Sequence, residues 1–271
     1  MKIQLHFLSV IVPVFKQQST IKKDLLSIIK TLDQIRYPYE LIVVIDGKQA
    51  DESYHICRAI KQPHLKVVAY NHNHGKGFAI RYGMSYAQGD YVAFIDSGME
   101  IDPNGISMLI EHLEWYNADI VVGSKFHPAS QIKYPFHRRI ISFGAHLIAL
   151  FLLRINLHDT QAGIKIFRQA VLSKILPRLL IKSFAFDLEM LSVAKYLGFS
   201  RIYEAPIKLN YDFSSTHLNS SFVRTVFLCL KDALAVFYRL YIIRYYDDRN
   251  RRKWVFDQDL NMRINTGEYE K

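Results

Sequence analysis

Gly89-Asp90-Tyr91-Val92-Ala93-Phe94-Ile95-Asp96-Ser97-Gly98 is an apolar run held between a turn and a carboxylate. A run with no polar alternation reads as a strand buried on both faces. The pattern recurs in the same half of the chain. Phe7-Leu8-Ser9-Val10-Ile11-Val12 is stopped by Pro13, Leu41-Ile42-Val43-Val44-Ile45 ends at Asp46-Gly47, and Leu65 to Tyr70 makes a fourth run. Helical periodicity fills the gaps at Thr20 to Ile35, Ser53 to Ile60 and Phe78 to Ala87. Doubly buried strands alternating with helices predict an α/β domain with a mostly parallel central sheet. Ligands of such sheets bind beyond the carboxyl ends of the strands. Pro13 to Lys16, Asp46-Gly47 and Asp96 to Gly98 are therefore the expected rim of a site.

The second half is organised differently. Ile120 to Gly123 and Arg201 to Leu209 read as strands, and Phe186 to Leu197 as a helix. Arg138 to Leu153 has a basic start and an apolar body. Phe222 to Tyr246 is apolar and aromatic, with Arg224, Lys231, Asp232 and Arg239 within an arc of about 100°. Such a helix either packs into its own core or lies in a membrane interface. The expected division is a domain over 1–215 with an apolar juxtamembrane helix at 137–154 inside it, an amphipathic interfacial helix over 216–246, and a polar basic tail over 247–271. Arg249 to Lys253 mark that tail as solvated or facing lipid headgroups.

The 271 residues are half hydrophobic and carry a formal charge of +10, which points to an anionic partner: nucleotide phosphates, an acidic membrane surface or nucleic acid. Nucleic acid is disfavoured, because the basic residues accompany apolar helices instead of stacking aromatics on a sheet. Cys57 and Cys229 supply neither a disulfide framework nor zinc spacing, as for reduced core thiols in the cytoplasm. Met1 to His6 is too short and polar for a signal peptide. The longest uncharged apolar run, Ile140 to Leu153, falls short of the ~20 residues that span a bilayer. Peripheral or monotopic attachment at the cytoplasmic face of a membrane is the reading that remains.

Several residues carry chemistry. Asp96 at a strand end, with Glu100 beyond it, suits a hard divalent cation that also holds a diphosphate; a turn cap is the plainer reading. Gly75-Lys76-Gly77 opens a helix, where glycines allow close approach and Lys76 adds charge. Its spacing is neither a Walker A loop nor GxGxxG, and an ordinary glycine turn fits as well. His72 and His74 form a loop pair without a third ligand. Asp187 and Glu189 lie two apart near a helix start, so they do not share a face, and helix-start charge is their plain reading.

Taken in order, Leu8 to Phe15, Val44-Ile45-Asp46-Gly47, Gly75-Lys76-Gly77 and Gly89 to Asp96 resemble the nucleotide-sugar half of glycosyltransferase family 2, the inverting GT-A enzymes. Val122-Gly123-Ser124-Lys125, Arg138-Arg139-Ile140-Ile141-Ser142 and Asp159-Thr160-Gln161-Ala162-Gly163-Ile164-Lys165-Ile166-Phe167-Arg168 resemble the branch of polyprenyl-phosphate (dolichyl-phosphate) mannose and glucose synthases. The resemblance implies transfer of a UDP- or GDP-linked hexose to a polyprenyl phosphate at a membrane surface. It places Pro13, Phe15, Asp46, Lys76 and Gly77 at the nucleotide, and Asp96 and Glu100 on Mg²⁺ or Mn²⁺. Lys125, Arg138, Arg139 and Ser142 go to the acceptor phosphate, with Asp96, Arg139 and Lys125 as the catalytic set. The alternative is a family member with a hydroxyl acceptor, for which the resemblance implies Asp187 or Glu189 as base, or a non-catalytic nucleotide-sugar binder. This chain departs from the family pattern at three acids: Gln17 stands for a Glu, Ile45 for an Asp, and Gly98 for the second Asp of the metal motif.

Overall fold

The computed structural model describes residues 6–131, 150–182, 185–210, 230–247, 252–260 and 262–269. The first half forms as its pattern predicts. β1 (Leu8–Val14), β2 (Tyr39–Asp46), β3 (Leu65–Tyr70) and β4 (Tyr91–Ile95) alternate with α1 (Ile21–Leu32), α2 (Ser53–Ala59) and α3 (Lys76–Ser85). α4 (Gly105–Trp115), β5 (Ile120–Ser124), β6 (Ile164–Arg168), α5 (Gln169–Ile175), α6 (Phe186–Tyr196) and β7 (Ile202–Pro206) complete the domain.

The seven strands lie in the order β3-β2-β1-β4-β6-β5-β7. All neighbours are parallel except β6, which runs antiparallel to β4 and β5. The parallel sheet was expected, but β6 and α4 were not. β6 arises from the Asp-Thr-Gln segment, where a charged Lys165 interrupts the apolar run. α4 buries Ile106, Leu109, Ile110 and Leu113, a regular helical stripe.

Pro13 decides where the crevice opens. It has no N–H to give, and the β1–β4 ladder ends at Ile11↔Phe94, before it is reached. Beyond that point the strands are joined by side chain, Ser97 Oγ donating to the Pro13 carbonyl at 2.7 Å. The ends of β1, β2 and β4 thus lie side by side and bring Phe15, Asp46 and Asp96 to one edge.

In the C-terminal part, 230–237 is α-helical and continues as a π-helix over Tyr238–Ile242. Ala233, Val236, Leu240, Tyr245 and Tyr246 belong to the same core as the sheet. Leu234, Tyr238 and Ile242 remain about half exposed or more, at 48%, 52% and 62%. The helix therefore packs one face into the core and leaves an apolar face outside. Only the last residues of the predicted 137–154 helix are described, and they are helical at 150–153. The Arg154 guanidinium sits 5.5 Å over the Tyr241 ring, so the end of that helix lies beside the C-terminal one. Among the described residues no helix is long and apolar enough to cross a membrane. The tail, expected to be solvated or to face headgroups, forms a hairpin that the pattern did not announce: β8 (Arg252–Asp257) and β9 (Met262–Tyr269) pair antiparallel and contact 176–178, with Leu260 buried between them and Trp254, Val255 and Phe256 exposed.

Candidate active site

Asp96 is placed by its neighbours with little freedom. Its N–H donates to the Gly163 carbonyl at 2.8 Å. A Cβ on Gly163 would stand 2.0 Å from Asp96 Oδ2, so only glycine lets the carboxylate lie here. Oδ2 accepts from Lys76 Nζ at 2.8 Å, while Oδ1 is buried and accepts no hydrogen bond. Burial alone would depress the Lys76 ammonium, but Asp96 and Asp187 outweigh it and hold its pKa above the ordinary lysine value. Glu100 is exposed and acts on the Lys76 ammonium in the same sense, as the weakest of these influences.

Asp46, expected to help hold the nucleotide, is turned into the protein. It is 3% exposed, and both oxygens are taken within the protein. Oδ2 accepts from Asn73 Nδ2 and the Gly75 N–H, and Oδ1 from the His74 N–H at 2.7 Å. It shapes the 73–75 turn that delivers Lys76. The glycines of that turn also answer to packing. A Cβ on Gly77 would meet Phe186 Cβ at 2.5 Å, and the Gly77 N–H donates to the Lys182 carbonyl. Gly77, expected to cradle phosphate, spends its N–H inside the protein. Gly75 is at φ +96°, where an L side chain is strained.

Beneath the crevice lies a buried ion pair. Lys165 is wholly buried, with Nζ 2.7 Å from both Asp187 Oδ1 and the Ala162 carbonyl. Burial pushes its pKa down and Asp187 opposes that shift. Asp187 is thus committed to Lys165. Glu189, fully buried, accepts from the Leu180 and Ile181 N–H groups and from the Tyr246 hydroxyl at 2.5 Å. Burial raises its pKa, against those hydrogen bonds and Arg239. It fastens the 180–182 segment and the C-terminal helix to α6.

Lys125 is also committed: Asp159 Oδ2 accepts from its N–H and from its Nζ, each at 3.0 Å. Phe15, 43% exposed, offers a free ring face at the crevice rim beside Lys16, while Pro13 is buried. Arg138, Arg139 and Ser142 lie outside the described residues, as does Cys229; Cys57 is buried and free. Among the described residues no cluster of three His, Cys, Asp or Glu suits a metal, and His74 is instead packed against Tyr70 and Phe78. The sequence reading missed Gly163, Asn73, Asp159 and Lys165 as site-builders. For three of them the signal was present, since all but Asn73 stand in the Asp159 to Arg168 segment.

Comparison with known proteins places this geometry. The pattern of glycosyl transferase family 2 matches residues 9–176. Dolichyl-phosphate beta-glucosyltransferase of Dictyostelium discoideum is 30% identical over 206 residues, covering 71% of this chain and 63% of that protein. The enzyme of the same name from Drosophila melanogaster is 31% identical over 207 residues, covering 70% and 63%. The matched region thus spans less than two thirds of either relative's length. Mannosyl-3-phosphoglycerate synthase from Rubrobacter xylanophilus superposes with a TM-score of 0.66 at 15% identity, over 87% of this chain and 74% of that one. Glucosyl-3-phosphoglycerate synthase from Mycobacterium tuberculosis, in complex with Mn²⁺, UDP and phosphoglyceric acid, gives 0.63 at 17%, over 96% and 87%. These structures share the α/β GT-A fold with its mostly parallel sheet. With the crevice at the carboxyl ends of its strands and this degree of identity to two relatives, the chain belongs to glycosyl transferase family 2.

Proposed function

We propose that the protein transfers a sugar from a nucleotide-diphosphate sugar to a polyprenyl phosphate at the cytoplasmic surface of a membrane, with inversion at the anomeric carbon. The observation that carries the reading is Asp96, fixed at the crevice with one oxygen on Lys76 and the other unpartnered. The names of the relatives favour glucose as the sugar and a dolichyl-type lipid as acceptor.

The residues fit a divalent cation. Asp96 Oδ1 is a buried acceptor without a donor, and Glu100, four residues on in the chain, is the second carboxylate assigned to the cation. When bound, Mg²⁺ or Mn²⁺ would offset the charge of the departing diphosphate. The rest belongs to the chain itself. Phe15 offers a face to the nucleoside. Lys76, delivered by the Asp46-organised turn, directs its ammonium toward the diphosphate once Asp96 is engaged elsewhere. Arg138 and Arg139 hold the acceptor phosphate, with Ser142 and Lys125 at the edge of that site. A phosphate acceptor is already ionised near neutral pH, so positioning and electrostatics suffice. A hydroxyl acceptor would need a base. The two carboxylates in the expected region, Asp187 and Glu189, are both buried and occupied, which supports the phosphate.

The test is turnover of UDP-glucose and GDP-mannose with polyprenyl phosphate, with and without EDTA. A glycosyl-phosphoryl lipid whose formation requires metal is expected; transfer only to hydroxyl acceptors would overturn the reading. Replacing both Arg138 and Arg139 with Ala is expected to raise the acceptor KM or lower kcat about tenfold or more, with donor affinity unchanged. An equal loss of donor binding would move them to the nucleotide side.

Membrane attachment is read from the exposed face of the C-terminal helix. Leu234, Tyr238 and Ile242 project from it, and Phe151, 76% exposed, stands on the neighbouring helix. Laid flat, this face would enter the headgroup region while Lys231 and the other basic residues stay at the surface. Leu234→Ser, Tyr238→Ser and Ile242→Ser together should reduce flotation with anionic liposomes several-fold and leave the melting temperature within a few degrees. Point changes are required here, since removing the helix would also remove Val236, Leu240 and Tyr246 from the core.

A further inference from the structure

Asp96 Oδ1 is buried and unpartnered at the carboxyl end of β4, and Gln17 Oε1, beyond the end of the neighbouring β1, is also buried and without a hydrogen-bond partner. Gln17 follows β1 and Gly98 follows β4, the neighbouring strand. The Gln17 backbone is fixed on both sides: its N–H donates to Ser53 Oγ at 3.0 Å, and its carbonyl accepts from Thr20 and Ile21 at the start of α1. Its side chain is thereby held against the Asp96 turn. A Cβ built on Gly98 would stand 3.4 Å from Gln17 Nε2, with nothing else within 4 Å. The amide therefore borders the space that a side chain at position 98 would fill. A half-turn about its last bond exchanges its oxygen and nitrogen.

A buried acceptor without a donor is costly and rare, so Asp96 Oδ1 points to something that binds there, and the Gln17 amide borders the same turn. A hard cation is satisfied by carboxylate and by amide oxygens alike. Asp96 has only Oδ1 to offer while Lys76 holds Oδ2, and Gly98 contributes no oxygen from its side chain. We infer that Gln17 is a neutral oxygen ligand of the divalent cation, completing with Asp96 and Glu100 the site from which Gly98 has removed a side-chain ligand. This rests on the metal reading of the proposed function. It explains how a crevice with an acid missing can still hold a metal. It also has a consequence: with fewer charged ligands the site binds the free cation weakly, because affinity follows the charge count of the ligands. The diphosphate of the donor then supplies the remaining negative charge.

The test is Mn²⁺ alone, titrated into the full chain and followed by the EPR signal of the free ion, with thermal melts confirming that each variant is folded. Gln17→Glu should tighten Mn²⁺ binding several-fold, and Gln17→Met, of similar length without the oxygen, should weaken it several-fold. Gln17→Asn, which keeps the amide but withdraws it, should also weaken it and serves should the Met variant not fold. Gly98→Asp should restore binding to the Gln17→Met protein. If Asp96→Asn weakens Mn²⁺ binding while Gln17→Met and Gln17→Asn leave it unchanged, Gln17 is not a ligand and the metal reading stands. If those Gln17 variants weaken only nucleotide binding, the amide belongs to the nucleoside and the inference fails. If Asp96→Asn has no effect, or the wild-type protein takes up no Mn²⁺ at millimolar concentration, the metal reading falls and this inference with it.

Discussion

Asp96→Asn is expected to lower metal-dependent sugar transfer by about 10²–10³-fold, the scale on which removal of one preorganised electrostatic group acts. Asn preserves the size of the side chain and changes its charge. Oδ1 then presents a weaker ligand to the cation, and Lys76 loses the partner that stands 2.8 Å away and helps hold its pKa up. Both effects fall on the diphosphate. The loss should therefore appear in kcat with saturating donor, and added metal should recover little of it. Gly163→Ala reaches the same end from outside the carboxylate, because its methyl would stand 2.0 Å from Oδ2 and force Asp96 out of place. Steady-state rates across a Mg²⁺ or Mn²⁺ series check both variants. A near-normal metal-dependent rate in Asp96→Asn would put the cation elsewhere.

What the sequence made legible follows from how each feature is encoded. The β1, β2 and β4 runs are local and continuous, since strands buried on both faces need apolar residues at every position; reading them located the crevice at Asp46 and Asp96. β6 was obscured because the polar Lys165 stands among Ile164, Ile166 and Phe167. Its partner Asp187 lies 22 residues away, and no periodicity announces such a pairing. Gly77 was ambiguous for a physical reason. An anion cradle and tight packing both require that no Cβ be present, and only the 2.5 Å approach to Phe186 Cβ tells them apart. The helical wheel of the C-terminal segment sets Arg239 in one arc with Lys231 and Asp232, but an arc does not say where a long side chain ends. The Arg239 guanidinium lies 3.9 Å from Glu189 instead of in the solvent arc, and one of its nitrogens is buried without an acceptor. The state of the lysine in the Gly-Ser-Lys segment was not legible, because the Asp159 that pairs with it stands 34 residues away.

The largest effect on stability is expected from Asp187→Asn. Lys165 has no exposed surface, and Asp187 is the acid that compensates its charge; the Ala162 carbonyl, also at 2.7 Å, gives only a dipole. Removing one member of a buried pair leaves the other uncompensated, at a cost of about 3–5 kcal/mol. For a chain of this size that is a fall of roughly 10 °C in melting temperature, taking ~2–4 °C per kcal/mol. Replacing the pair together, Lys165→Met with Asp187→Leu, removes both charges and should regain most of the loss, since buried ion pairs are often matched by apolar residues of similar volume. Activity should return with stability. The double variant removes the Asp187 charge that raises the Lys76 pKa together with the Lys165 charge that repels that ammonium, so Asp96 still holds Lys76 charged and the rate should stay close to that of the wild type. Differential scanning calorimetry and initial rates on the same preparations decide it. A single variant as stable as the wild type would mean that water or another group balances Lys165. A double variant that folds normally but transfers sugar slowly would show that the buried pair serves the site as well as the fold.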